Sequence, residues 1–486
     1  MVLKLLRPQD IGSKMKVGIS SFGSWMLGVG SIIGSMAWLM HAPMLARAGP
    51  LAAVTAWFIA GVLALPLALI LMELSSMFPT AGGPYVYKYY ALKRLLPGMG
   101  ELLGFLTGWI FYAGILVGLS CMSCGLTNLL ASEIWGQGAA PAWFGPVVIV
   151  SLFTFTTALN FLSISWASKA SDLFTLLKFG MALGFVALVG TSGHFNIANV
   201  MVASSPGGNT NFFENVSSVL MLAMVGFSFM EVSGCTSSET VDSTHSVPKA
   251  IFLTLLSVAA IYFSMCFSIA GSASFQYDAV KQVLHVPGTN VLANCPSIAG
   301  YLGGPFIGKL FSGAVFLSIV GCGFTALLGI ARVAYSMAET GLFPRRFAVL
   351  DEKTGVPKYC LWFQFVVVTT LGIIANALAA SGVFPDAYSF LGDTFGFMYA
   401  FVAMLYGFCL LSLRYTDPDM VRPFRIGGKG NALAWLVTVV TALVWGYAAL
   451  GCVGWREQLA GIVLSLLGVP IYYFYKMQSA EQSSLD

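Results

Sequence analysis

The sequence predicts an all-α membrane protein with twelve membrane-spanning helices, and three observations predict it. Of the 486 residues, 57% are hydrophobic and only 9% are charged, where soluble domains carry about 25% charged residues. The apolar residues gather in long segments separated by polar turns. One span needs about 20 of them, so with loops the length holds about twelve. Lysine and arginine fill alternate loops: eighteen fall on the side of the N-terminus and four on the other. Positive loops stay in the cytoplasm. A multi-pass protein of the cytoplasmic membrane, with both termini inside, is therefore expected.

The composition also narrows the function. The net charge is +4, and the basic residues follow the loops without marking a face for nucleic acid. Nine cysteines are scattered, mostly inside apolar segments. Cys121 and Cys124 form a CxxC within a span. With no second pair or histidine cluster, they read as small hydrophobes rather than a redox or metal site. There is no nucleophile–base constellation, HExxH or nucleotide loop, so neither an enzyme nor a cofactor or metal is expected. Lys4, Arg7, Lys14 and Lys16 precede a long apolar segment without a cleavage site, so no signal peptide is expected.

In chain order, residues 1–16 are a basic cytoplasmic segment. Residues 17–192 hold spans 1 to 5, near 17–43, 51–77, 101–132, 144–164 and 171–192. Proline and glycine at 78–87 predict a loop after span 2. A polar link with Lys169 precedes span 5, and a Gly/Asn/Ser-rich loop fills 193–212. Residues 213–414 hold spans 6 to 10, near 213–236, 248–272, 306–332, 359–380 and 387–413. A basic loop follows, then spans 11 and 12 within 431–476, then a cytoplasmic tail, 477–486.

Spans 1 and 6 are interrupted. Span 1 carries Gly28-Val29-Gly30-Ser31-Ile32-Ile33-Gly34-Ser35, three glycines in seven residues. Glycine costs about 1 kcal/mol relative to alanine inside a helix. Either small residues serve close helix packing, or the helix unwinds beside a cavity that satisfies the freed backbone. Span 6 carries Gly226-Phe227-Ser228-Phe229-Met230-Glu231, with a carboxylate deep in an apolar run. The two interruptions lie five spans apart. Spans 1–5 and 6–10 then form two repeats of opposite topology, and broken spans at matching positions point to a transport site. Helix N-termini at such breaks attract a carboxylate, and freed carbonyls attract an ammonium. A zwitterionic amino acid presents both.

At these residues the chain resembles the amino acid–polyamine–organocation superfamily, over nearly its whole length. Gly30 to Ser35 resembles the first-span signature of that family. Glu73-Leu74 through Gly82-Gly83-Pro84-Tyr85-Val86-Tyr87 resembles its span 2–3 motif, and Leu103-Gly104-Phe105 with Gly108-Trp109 its third span. Met230-Glu231, Glu239 and Pro248-Lys249-Ala250-Ile251 follow its span-6 pattern. Arg332 with Met337 to Pro344, and Arg422-Pro423-Phe424, complete six motifs in order. The resemblance implies a five-plus-five inverted repeat with two added helices. It implies alternating-access transport of amino acids across the bilayer by proton symport or exchange. A polyamine, amine or other small-metabolite antiporter is the alternative, and a substrate sensor a further one.

The resemblance also implies a site. Gly30, Ser31, Ile32, Gly34, Ser35 and Met36 would hold the substrate from span 1, and Val225, Gly226, Phe227, Ser228 and Phe229 from span 6. Gly114, Ile115 and Gly118 on span 3 and Ala326 on span 8 would line its side-chain pocket. Val225 and Ala326 stand where cation-selective relatives have aromatic gates, so cationic specificity is not implied. Met36 replaces a third glycine, which predicts a tighter first break. Phe229 stands where relatives have glycine, and Gly226 is expected to supply the freedom instead. Lys178 in span 5 would stand in for a sodium ion, and Glu231 would carry or sense a proton. His41 is expected at the interface or in packing at the end of span 1, and Asp393 is expected to cap span 10.

Overall fold

The structure, a computed structural model, describes residues 14–136, 140–383, 386–451 and 453–483. Most of the predicted N-terminal segment and the last three residues of the predicted tail lie outside these. Among the described residues, nine helical stretches are long and apolar enough to cross a membrane.

The first span comes in three pieces: α1 (Ser21–Ile32), α2 (Met36–Leu39) and α3 (His41–Ala48). Ser20 caps α1 by accepting from the Gly23 N–H at 3.0 Å. Gly49, at φ +84°, ends α3, and Pro50 opens α4 (Pro50–Met77), since proline is at home in a first helical turn. The second half of the predicted loop at 78–87 is helical. Gly82, at φ +62°, turns the chain, and α5 runs Gly83–Leu95. Pro84 sits in its first turn rather than breaking it, and Tyr85, Val86 and Tyr87 are buried.

Then come α6 (Gly100–Trp135), α7 (Phe144–Asn160) and α8 (Ile164–Thr191). α8 begins earlier than expected, so Lys169 lies on a helix and not in a link. After the short α9 (Ile197–Val200), the sixth span is split into α10 (Phe212–Val225) and α11 (Val232–Cys235), followed by α12 (Ser243–Ser272). The next loop carries a hairpin, β1 (Gln276–Asp278) with β2 (Val283–His285), in which Tyr277 faces Leu284. It ends in α13 (Cys295–Gly303). The remaining helices are α14 (Pro305–Glu339), α15 (Lys358–Ala380), α16 (Ala387–Thr416), α17 (Ala432–Gly451), α18 (Trp455–Leu466) and α19 (Gly468–Ser483).

Burial sorts these helices. The most apolar windows of α6, α14 and α16 are 78%, 83% and 72% buried, against 28% for α15 and 17% for the Trp455–Gln478 stretch. The first three form the centre, and the others present apolar side chains outward, as lipid-facing helices do. α1 passes through that centre, packed against α8, α12 and α14. Its glycines permit the approach. A Cβ on Gly28 would collide with Thr254 of α12, and one on Gly30 would lie 2.6 Å from Thr175 Oγ1 of α8. Both glycines sit inside continuous helix and serve close packing. Unwinding starts only after Ile32.

Candidate functional site

The first break spans Ile33 to Ser35. Ile33 leaves the helical region at φ −73° and ψ 86°, and α2 restarts at Met36. Four successive carbonyls around the break accept from side chains of three other helices. Gly30 O takes Lys178 Nζ of α8 at 2.7 Å, and Ser31 O takes Cys322 Sγ of α14 at 3.1 Å. Ile32 O takes the Tyr262 hydroxyl of α12 at 3.2 Å, and Ile33 O takes Ser318 Oγ of α14 at 3.2 Å. The freed backbone is thus satisfied by protein, as an apolar surround demands. The residues of this break stay at negative φ, so a third glycine at Met36 would supply no needed conformation. Met36 simply begins α2.

The second break spans Gly226 to Glu231. Gly226 keeps helical angles, φ −59° and ψ −19°, while Phe229 takes the left-handed conformation at φ +70°. The expectation that Gly226 would supply the freedom is therefore corrected. The residue with the unfavourable angle carries a full side chain, at a cost of about 1–2 kcal/mol. Packing holds it there: the ring is 4% exposed and lies 5.8 Å from the Phe111 ring. The two breaks meet, because Ser31 Oγ reaches Phe229 O at 3.4 Å. Ser228 Oγ closes back onto Val225 O.

Between the breaks lies a cavity of about 1050 Å³. Ser31, Ile32, Gly34, Ser35 and Met36 line it from the first span, and Val225, Gly226, Ser228 and Phe229 from the sixth. Ile115 and Gly118 of α6 and Ala326 of α14 complete the expected wall. Three expected residues lie elsewhere. Gly30 stands behind the wall, its carbonyl held by Lys178. Gly114 faces Met398 of α16 at a Cβ distance of 3.4 Å, and Phe227 packs among Trp57 and Tyr262 with centroids 6.3 and 5.8 Å away. The cavity extends past Asn128 to Arg47, Gln282 and Asp386, near the hairpin.

Span 10 contributes what the sequence reading missed. Tyr388 lines the cavity, and its hydroxyl lies 3.1 Å from Ser35 Oγ. Asp386, not Asp393, caps α16, accepting from Ser389 N at 2.8 Å. Asp393 lies nearly two turns further in and faces the cavity, with no hydrogen bond or ion pair among the described residues. A carboxylate six residues into an apolar span was the available signal. His41 packs as expected, buried against Trp57 and Tyr262.

The far ends of these helices are tied by buried charge. Arg332 near the end of α14 grips Glu239 through two bonds of 2.7 and 3.0 Å. The Glu239 carbonyl also accepts from Gly18 N and Ile19 N at 2.9 Å. Glu73 accepts from Arg414 Nε at 2.9 Å and from Ile426 N at 2.8 Å, with Arg422 Nε 3.7 Å away. The acidic and basic residues of four of the six motifs therefore bind the ends together on the side away from the hairpin. Nearer the cavity, Glu231 accepts from Tyr399 at 2.9 Å and Tyr406 at 3.2 Å.

Comparison with known proteins adds an independent line. The amino acid permease family matches residues 19–465 of the chain. Glutamate/serine transporter AimA of Bacillus subtilis (strain 168) is 27% identical, over 95% of this chain and 82% of the relative. Branched-chain amino acid permease BcaP of the same organism is 25% identical, over 96% and 94%. Serine/threonine exchanger SteT, also from it, is 23% identical, over 98% and 100%.

Proposed function

The chain belongs to the amino acid permease family, and on that premise we propose that the cavity between its two unwound spans carries zwitterionic amino acids across the membrane by alternating access. The chain is a multi-pass membrane transporter of amino acids and not an enzyme. The observation that carries the reading is the meeting of the two breaks at one cavity, with Ser31 bridging to Phe229. Half-helix ends supply both signs of partial charge. The substrate's carboxylate belongs at Ser31, Ser35 and the start of α2, and its ammonium at the carbonyls of the 226–228 segment.

Spans 1–5 and 6–10 act as two inverted halves around this site. The bias of basic loops sets both termini in the cytoplasm of a cytoplasmic membrane. In that orientation the cavity, which extends to Arg47 and the hairpin, faces outward. Lys178, whose ammonium is bound to Gly30 O, takes the place of a coupling sodium ion. Glu231 senses the proton. The cycle runs as proton symport or as exchange.

Uptake of labelled amino acids into vesicles holding the purified protein tests the reading. Uptake is expected without sodium and faster when the vesicles are preloaded with an amino acid. Replacing Lys178 by methionine is expected to lower it by about tenfold or more, since it leaves the Gly30 carbonyl unpaired. Sodium-dependent uptake, or no uptake of any amino acid, would end the proposal. A second reading, an amine exchanger, is favoured by Asp393, a carboxylate at the cavity wall with no hydrogen bond or ion pair among the described residues. Competition by amines that lack a carboxyl group would select it.

A further inference from the structure

Lys88 lies in α5, just past the predicted loop at 78–87, and its side chain is fully buried. Its Nζ has no hydrogen-bond partner among the described residues. It sits instead 4.1 Å from the centroid of the Tyr406 ring and 5.2 Å from that of Phe111. The hydroxyl of the same Tyr406 donates to Glu231 Oε1 at 3.2 Å. One phenol therefore holds an ammonium on its face and a carboxylate at its rim, and each charge acts on the other. Both lie one side chain behind the cavity wall, which Phe229 lines. Phe111 packs on Phe229, and Glu231 is the last residue of the unwound segment.

We propose that Lys88 is the built-in counter-charge of Glu231, and that this pair sets the pH range over which the sixth span's unwound segment works. The inference rests on the transport reading above and refines it. A buried charge is tolerated when it is matched, and is costly when it stands alone. With both present the cluster is neutral as a carboxylate and an ammonium. Remove the lysine, and the carboxylate must take up a proton to be neutral. Remove the carboxylate, and the ammonium must release one. The other titratable groups facing the pair are Tyr87 on α5, Cys235 on α11, and Tyr399 and Cys409 on α16. These are thiols and phenols, uncharged near neutral pH. Arg332 of α14, next in line, is already paired with Glu239.

The test compares wild type, K88M, E231Q and the double variant K88M/E231Q. Uptake and the thermal unfolding midpoint are both read from about pH 5 to about pH 9. K88M is expected to lose uptake as pH rises, by about tenfold or more. E231Q is expected to lose it as pH falls. The double variant is expected to exceed both singles, with a flat profile. The unfolding midpoints follow the same opposite slopes, because K88M binds an extra proton when folded and E231Q one fewer. A K88M profile like that of wild type, or a double variant no better than the worse single, overturns the proposal. If K88M fails to fold, a folded double variant supports the pairing, and an unfolded one overturns it. Wild type that moves no amino acid defeats the transport reading alone, since the unfolding slopes still judge Lys88.

Discussion

Phe229 carries the least expected geometry in the chain. Its φ of +70° is a glycine's angle, and its ring is clasped against Phe111. Two effects oppose each other here. Glycine would relieve about 1–2 kcal/mol of backbone strain. Losing the buried ring costs about 3–5 kcal/mol. F229G is therefore expected to be less stable than wild type, and F229A less stable again, because alanine loses the ring and keeps the strain. Thermal unfolding of the three proteins checks the order. F229A above F229G would mean that the angle is unstrained. No propensity rule would select phenylalanine for this position, so the sequence pointed to the neighbouring glycine. Lys88 was hidden for a similar reason. Close to Lys93 and Arg94, it reads as one more positive loop residue, and only the fold of α5 shows that it turns inward.

At the scale of the element, the first span divides its glycines between two tasks. Gly28 and Gly30 keep α1 close to α12 and α8, and Gly34 lies in the break itself. A methyl group on Gly30 must displace Thr175 Oγ1. G30A is expected to cost about 1–3 kcal/mol, and T175A added to it to recover more than half. Equal stability of the single and double variants would show that α1 had shifted instead. The spans were legible in the sequence because apolar length is written directly in composition, and the breaks because glycine and a buried carboxylate are out of place there. The extent of unwinding was not legible. It depends on which side chains arrive to satisfy Gly30, Ser31, Ile32 and Ile33, and those come from residues 148 or more positions away. Helix α5 was misread because a Gly-Gly-Pro run marks a turn and a helix start equally well.

Across the whole molecule, the cavity extends toward the hairpin, and the opposite helix ends are fastened by Arg332–Glu239 and Arg414–Glu73. A buried pair broken on one side leaves a bare charge, which costs about 3–5 kcal/mol. E239Q is expected to lower the unfolding midpoint and to expose the α14 terminus to water-soluble labels. E239L with R332M is expected to regain stability while the end stays loose. If E239Q changes neither unfolding nor labelling, the pair fastens nothing. Most of these charged residues were recognisable as motif positions, but their partnering was not. Glu73 and Arg414 are far apart in sequence and meet only when α4 and α16 pack.

Cys322 turns the shape of the cavity into a chemical handle. Its sulfur lines the space and also secures the Ser31 carbonyl. A small mercurial entering from the hairpin side meets a thiol in the cavity proposed to hold the substrate. Capping that sulfur both plugs the space and strips the unwound backbone of one of its four supports. Occupancy by an amino acid then shields the thiol, so the rate of modification becomes a gauge of how full the berth is.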